Sequence, residues 1–161
     1  MASWTSTLCH GETTGMFDHI GIVARDLKSS ARLYAHMLAP LGIRLVEKHR
    51  LAVDSAWVVF STGKPQSPFF VVAEGRPTFW DADARAAASP MHLSFSAPSR
   101  EAVDRFHSVG LAHGARNNGG PGIRRSPFYC AFLIDLDGNN VEAGCYLGDD
   151  EAAGLAPPLS A

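Results

Sequence analysis

Among the residues of metal-ligating type in this 161-residue chain, His19, His92 and Glu142 stand out because each sits inside an apolar run. His19 lies in Phe17-Asp-His-Ile-Gly-Ile-Val-Ala24, His92 in Met91-His-Leu-Ser-Phe-Ser-Ala97, and Glu142 follows an Asp137-Gly138-Asn139 turn between Val141 and Ala143. A carboxylate in such a strand is costly to bury unless it is paired or bound to a cation. Two imidazoles and one carboxylate are the ligand set of a mononuclear divalent metal with open coordination positions. Fe, Mn, Zn, Ni and Co all suit such donors, so the set implies one divalent ion without naming it.

The elements around these residues repeat. Residues 17–24 alternate as a strand, with Phe17, His19, Gly21 and Val23 on one face. Asp26 is placed to N-cap a helix carrying Leu27, Ala31, Tyr34 and Leu38 at helical spacing, which Pro40 and Gly42 stop. Extended segments follow at 43–48, 55–60 and 69–73, so the first part reads βαβββ. The pattern restarts with a strand at 91–97 and a helix opened by Ser99, with Val103 and Phe106 inward. A Gly-rich loop at 114–124, with an extra strand as a candidate near 123–127, leads to two strands around the Asp-Gly-Asn turn, read as a tight two-residue hairpin. Laying His19 over His92, 73 residues apart, places Asp26 on Ser99 and Phe69 opposite Glu142. The predicted architecture is α+β, with module one about 16–74 and module two about 90–147. Residues 1–15 read as a flexible N-terminal arm, and 148–161 as a disordered acidic tail.

Composition narrows the function classes. Hydrophobic residues make up 46% and charged residues 19%, with a net charge of −2 and scattered basic residues, which argues against nucleic acid as a partner. Apolar runs are too short to span a bilayer, and no basic stretch followed by an apolar one marks a secretory signal. Cys9, Cys130 and Cys145 form no CxxC pair, which fits a reducing, cytoplasmic setting, and Cys130 and Cys145, in strand-like sequence, read as small buried hydrophobes.

The Phe17-Asp-His19-Ile-Gly-Ile-Val strand, Met91-His92-Leu-Ser-Phe, and Asp135-Leu-Asp-Gly-Asn-Asn-Val-Glu142 together resemble the vicinal oxygen chelate superfamily. This superfamily contains glyoxalases, extradiol dioxygenases, fosfomycin-resistance thiol transferases and bleomycin-binding proteins. The resemblance spans residues 16–147 and implies two βαβββ modules building a curved open sheet around a metal-binding cleft, with His19, His92 and Glu142 as ligands. It implies a divalent-metal-dependent enzyme that acts on a small oxygen-bearing substrate by lyase or isomerase, dioxygenase or thiol-transferase chemistry. The resemblance implies a homodimer and leaves open whether His19 meets His92 and Glu142 within one chain or across two subunits; a metal-free small-molecule binding or resistance protein is the alternative. A glyoxalase I site would take a further acid from the last strand of module one. No carboxylate occupies 69–72, and Glu74 is the nearest candidate as a fourth ligand or base beside Glu142. Arg124 and Arg125 are candidates to orient an anionic group of the substrate, with Tyr129 and Trp57 as possible pocket walls. His36, His49, His107 and His113 read as surface residues.

Overall fold

The computed structural model describes residues 17–52, 55–64, 67–75, 91–125 and 127–148. The predicted arm at 1–15, the connection at 76–90 and the tail from 149 onward lie outside the described residues. Strand β1 (His19–Val23) leads into helix α1 (Leu27–Met37), whose N-terminus is capped as expected: the Asp26 carboxylate accepts from the Ser29 amide at 3.1 Å. A single 3-10 turn (Ala39–Leu41) with Pro40 near its start ends at Gly42, which takes the left-handed φ of 77° that turns the chain into β2 (Arg44–Ala52). Strands β3 (Ser55–Ser61) and β4 (Phe69–Gly75) complete a sheet ordered β1-β4-β3-β2, in which β1 and β4 are parallel.

Module two repeats this plan. Strand β5 (His92–Ser96) precedes helix α2 (Arg100–Ala112), capped by Ser99, whose hydroxyl accepts from the Ala102 amide. Strands β6 (Arg116–Arg125), β7 (Phe128–Ile134) and β8 (Asn140–Tyr146) follow, giving the order β5-β8-β7-β6. Two predictions are corrected. The Gly-rich stretch from 116 to 125 is an edge strand rather than a loop, with register shifts at Asn117/Gly119, Gly119/Gly122 and Ile123/Arg125. Its glycines and Pro121 lack the side chains that mark strands in a sequence, and bulges absorb the irregularity. The turn at Gly138 (φ 96°) belongs to a longer connection spanning residues 135–139, not a two-residue hairpin.

Both sheets turn one face to a shared core. Ile22, Phe70 and Val72 of module one and Leu93, Val141 and Ala143 of module two pack with Leu33, Tyr34 and Met37 of α1 and Phe106 of α2. Phe70 meets Phe95 edge-on at 5.4 Å across the module boundary. The helices also pack on each other: Met37 Cβ and Leu133 Cδ1 stand 3.5 and 2.2 Å from where a Cβ on Gly110 would lie.

The 135–139 connection locks the modules together. Asp135 accepts at one oxygen from the amides of Asp137 (2.9 Å) and Asn139 (2.8 Å), and at the other from Asn139 Nδ2 (2.7 Å) and the Tyr34 hydroxyl (2.7 Å). Asp137 in turn accepts from the Arg25 amide and Nε, both at 3.0 Å, and from Ser30 Oγ at 2.9 Å. Arg25 Nη2 also donates to the Leu136 carbonyl, and Asn139 Oδ1 accepts from the Met91 amide at 3.0 Å. Asp135, Asp137 and Asn139 are thus all engaged by protein partners. Among the described residues, no helix is long and apolar enough to cross a membrane.

Candidate functional site

Side chains alternate across a sheet, so the core-facing residues fix what the opposite faces carry. On β1 and β4 the face turned from the core holds His19, Gly21, Phe69, Val71 and Ala73. On β5, β8 and β7 it holds His92, Ser94, Asn140, Glu142, Cys130 and Phe132.

The structure brings His92 and Glu142 together. His92 Nε2 lies 3.1 Å from Glu142 Oε2, with the imidazole half exposed and the carboxylate 9% exposed. Two ligands about 2.1 Å from one ion at a right angle stand about 3.0 Å apart, so this pair already has the separation of adjacent metal ligands. Cys130, 1% exposed, sits on the same face beside Glu142. Burial pushes its thiol up to about 12, helped by its hydrogen bond to the Glu142 carboxylate. It stays a protonated donor at neutral pH. Sequence reading took Cys130 only as a buried small hydrophobe; the missing signal was the strand register, which pairs Phe132 with Glu142 and so fixes the face of Cys130.

His19 stands on the equivalent face of module one. Its Nδ1 contacts Asp18 Oδ1 at 2.7 Å and its ring stacks on Phe69 at 4.6 Å. A carboxylate on one imidazole nitrogen leaves the other, Nε2, as the nitrogen available to a ligand and fixes the ring. Asp18 was not singled out from the sequence; an acid directly before a candidate ligand was the available signal. The chain does not bring His19 to the His92–Glu142 pair, and no cluster of three or more His, Cys, Asp or Glu suited to a metal forms among the described residues.

Registers also revise the comparison between modules. His19 pairs with Phe69, and His92 with Asn140, so the residue corresponding to Glu142 is Val71 rather than Phe69. The last strands are 71 residues apart, not 73, because the intervening segments differ in length. Val71 is buried and apolar, and the acid expected of a four-ligand site is missing there too. Glu74 alternates with Phe70 and Val72, so it stands on the opposite face from His19 at the exposed strand end.

The remaining candidates divide similarly. Tyr129 faces the helices: it is buried with Val103, donates to Asp104 Oδ1 at 2.7 Å and lies under Arg100, which removes it from the pocket walls. Desolvation and that bond to Asp104 push its phenol up to about 12. Trp57 shares the His19 face and stacks on His49, itself 2.7 Å from Glu47. A cavity of about 390 Å³ opens on this face, lined by residues including Glu47, Val59, Lys64 and Phe69. Arg124 lies on the His92 face, over Phe132; the side chain of Arg125 lies outside the described residues. His36 and His113 stack on each other at 3.8 Å, and His107 pairs with Asn117, outside both faces.

No protein-family model matches the chain, and no curated protein matches it. Solved structures do. A glyoxalase/bleomycin resistance protein from Albidiferax ferrireducens T118 is 27% identical, with a TM-score of 0.60 over 81% of this chain and 98% of that one. A glyoxylase/bleomycin resistance protein/dioxygenase domain from Frankia sp. EAN1pec is 20% identical, with a TM-score of 0.58 over 83% and 98%. A V278E mutant of glyoxalase I from Zea mays shares the fold at 14% identity and a TM-score of 0.58, over 79% of this chain and 43% of that one. The chain carries the glyoxalase-like fold of the vicinal oxygen chelate superfamily, and its structural neighbours are glyoxalase, bleomycin resistance and dioxygenase family proteins.

Proposed function

We propose that the chain is a divalent-metal-dependent enzyme acting on a small oxygen-bearing substrate, with the metal held by His92 and Glu142 of one copy and His19 of a second. The observation that carries this reading is the His92–Glu142 pair at ligand separation on an open sheet face. The donor set fits such an ion: a buried carboxylate oxygen, an imidazole Nε2 beside it, and a second imidazole whose Nδ1 is engaged by Asp18. Two copies are invoked because the His19 face and the His92 face belong to separate sheets, each turned away from the common core. A homodimer in which β1 of one copy approaches β5 of the other joins those faces.

When bound, a divalent metal would supply Lewis-acid stabilisation to a developing oxyanion or enolate. Phe69 and Asp18 fix the His19 ring, and Cys130 donates to Glu142 and holds its carboxylate in place. For proton transfer, Glu142 is the carboxylate in contact with His92, whereas Glu74 stands on the face opposite His19.

The test reconstitutes purified protein separately with Fe, Mn, Ni, Co and Zn and measures metal per chain. The expected result is close to one equivalent of at least one ion, lost in His19→Ala, His92→Ala and Glu142→Ala; less than about one-tenth equivalent of every ion refutes the reading. Mixing His19→Ala with Glu142→Ala chains and allowing subunit exchange restores metal to about one site in four if the site is shared, and to none if it is not.

A second reading, a metal-free small-molecule binding or resistance protein, is favoured by Val71 in the acid position and by the cavity against Phe69. It requires no metal uptake and unchanged binding of a hydrophobic dye in His92→Ala.

A further inference from the structure

The Gly-rich strand β6 is built around one side chain. Ile123 pairs with Tyr129 and enters the core, so the next residue, Arg124, lies on the face turned from the core, where its guanidinium lies 5.8 Å over the Phe132 ring. Nη2 donates to the Gly120 carbonyl at 2.8 Å, which fixes the plane of the group. Neighbouring glycines leave it room. A Cβ on Gly119, whose φ is +150°, would stand 3.2 Å from Nη2 and 3.1 Å from Phe132 Cδ2, and one on Gly122 would lie 3.6 Å from Nη1. Glycine is therefore required at 119 for both its backbone and its missing side chain.

This half-buried cation has no carboxylate within 4.0 Å among the described residues. One of its five N–H groups is used by Gly120, leaving four for a ligand. Phe132 is the floor it shares with the candidate metal pair, because the His92 ring lies 6.3 Å from the Phe132 ring and Glu142 is its cross-strand partner. A flat molecule on Phe132 thus reaches a fixed cation at one end and His92 and Glu142 at the other. A single planar fork suits a carboxylate, which takes two parallel hydrogen bonds; a phosphate dianion would call for more positive charge than Arg124 alone provides.

We propose that Arg124 anchors the carboxylate of a small, flat organic anion whose second oxygen is presented at the His92–Glu142 end of the face. The position of that second oxygen rests on the metal-centre reading above, whereas the anchoring by Arg124 does not.

The test compares salicylate with its uncharged amide, salicylamide, by titration calorimetry, on metal-loaded and on metal-free protein. Wild type binds salicylate at least about tenfold more tightly, Arg124→Gln brings the ratio close to one, and Arg124→Lys keeps a reduced preference because it retains charge without the fork. Metal content and urea stability of the variants are measured alongside and stay at wild-type values. Equal affinity for the two probes in wild type, a preference that survives Arg124→Gln, or no salicylate binding up to about 10 mM overturns the proposal. A preference seen in protein that takes up no metal upholds Arg124 and removes the metal; full metal loading with no preference does the reverse.

Discussion

Tyr34→Phe tests the bolt that joins the two modules. The phenol is fully buried, and its hydroxyl donates at 2.7 Å to Asp135, which is 4% exposed. Phenylalanine keeps the ring packed against Phe70 at 4.9 Å and Phe60 at 6.2 Å, so the change removes one hydrogen bond and almost no apolar contact. Hydrogen bonds to charged groups contribute about 1.5–3 kcal/mol. Asp135 keeps three other donors and is not left unsatisfied, so the loss belongs near the lower end, about 1.5–2 kcal/mol. For a domain of this size that lowers Tm by roughly 4–8 °C. Urea denaturation measures it directly, with a lower midpoint at unchanged slope.

The same bond has a pH signature. Burial first, then the Asp135 carboxylate, holds the Tyr34 phenol well above its ordinary range in the folded state. A raised folded pKa contributes stability that is fully present below the unfolded phenol value, near pH 10, and is lost as pH rises beyond it, because the unfolded chain releases the proton first. Cys130 and Tyr129, both pushed up to about 12, add slopes of the same sign that wild type and variant share. The expected difference is therefore a wild-type advantage that is flat from pH 7 to 9 and shrinks above pH 10. A variant within about 0.5 kcal/mol of wild type at pH 7, with a parallel alkaline profile, would refute the assignment of this bond as a module lock.

Two further experiments probe the packing behind the candidate site. Gly110→Ala gains helix propensity of about 1 kcal/mol but drives its methyl to 2.2 Å from Leu133 Cδ1, in a core where Leu133 is fully buried; net destabilisation of about 1–2 kcal/mol is expected in urea, and Leu133→Ala added to it should cost less than Leu133→Ala alone. Cys130, buried and with its thiol pushed up to about 12, is only about 10⁻⁴ thiolate at pH 8, so iodoacetamide labelling followed by mass spectrometry should modify it at least about 100-fold more slowly in folded than in urea-unfolded protein.

The parts of this fold legible in sequence are those set by local chemistry. Asp26 and Ser99 cap the helices they were expected to cap, β-branched alternation located β1, and extended runs between turn-rich segments located β3 and β4. The face of His19 followed from the same alternation. What escaped was decided by register and by contacts between modules. Val71 rather than Phe69 corresponds to Glu142 because the connecting segments differ by two residues, which no period reveals. Tyr129 could be assigned to a face only once its pairing with Cys145 was known, and β6 was hidden because four of its ten residues are glycine or proline.

The Asp135-to-Glu142 segment illustrates why a motif's specificity and its chemistry can separate. Its first acids and its asparagine are the residues that make it recognisable, yet every one is satisfied by a protein donor: amides of its own turn, Tyr34, Arg25, Ser30 or Met91. They fasten α1 of module one to the hairpin of module two. Of its acids, Glu142 alone emerges on the face turned from the core, and the rigidity of the turn determines where it emerges. A chain could keep the whole fastening while exchanging the residue at 142, and would then keep the fold and lose the candidate ligand. The converse holds in module one, where Val71 occupies the corresponding strand position on an intact βαβββ scaffold. The two modules of this one chain therefore already display both outcomes, and chemistry on this fold has to be read from the outward-facing positions of β1, β4, β5 and β8 rather than from the turn that identifies it.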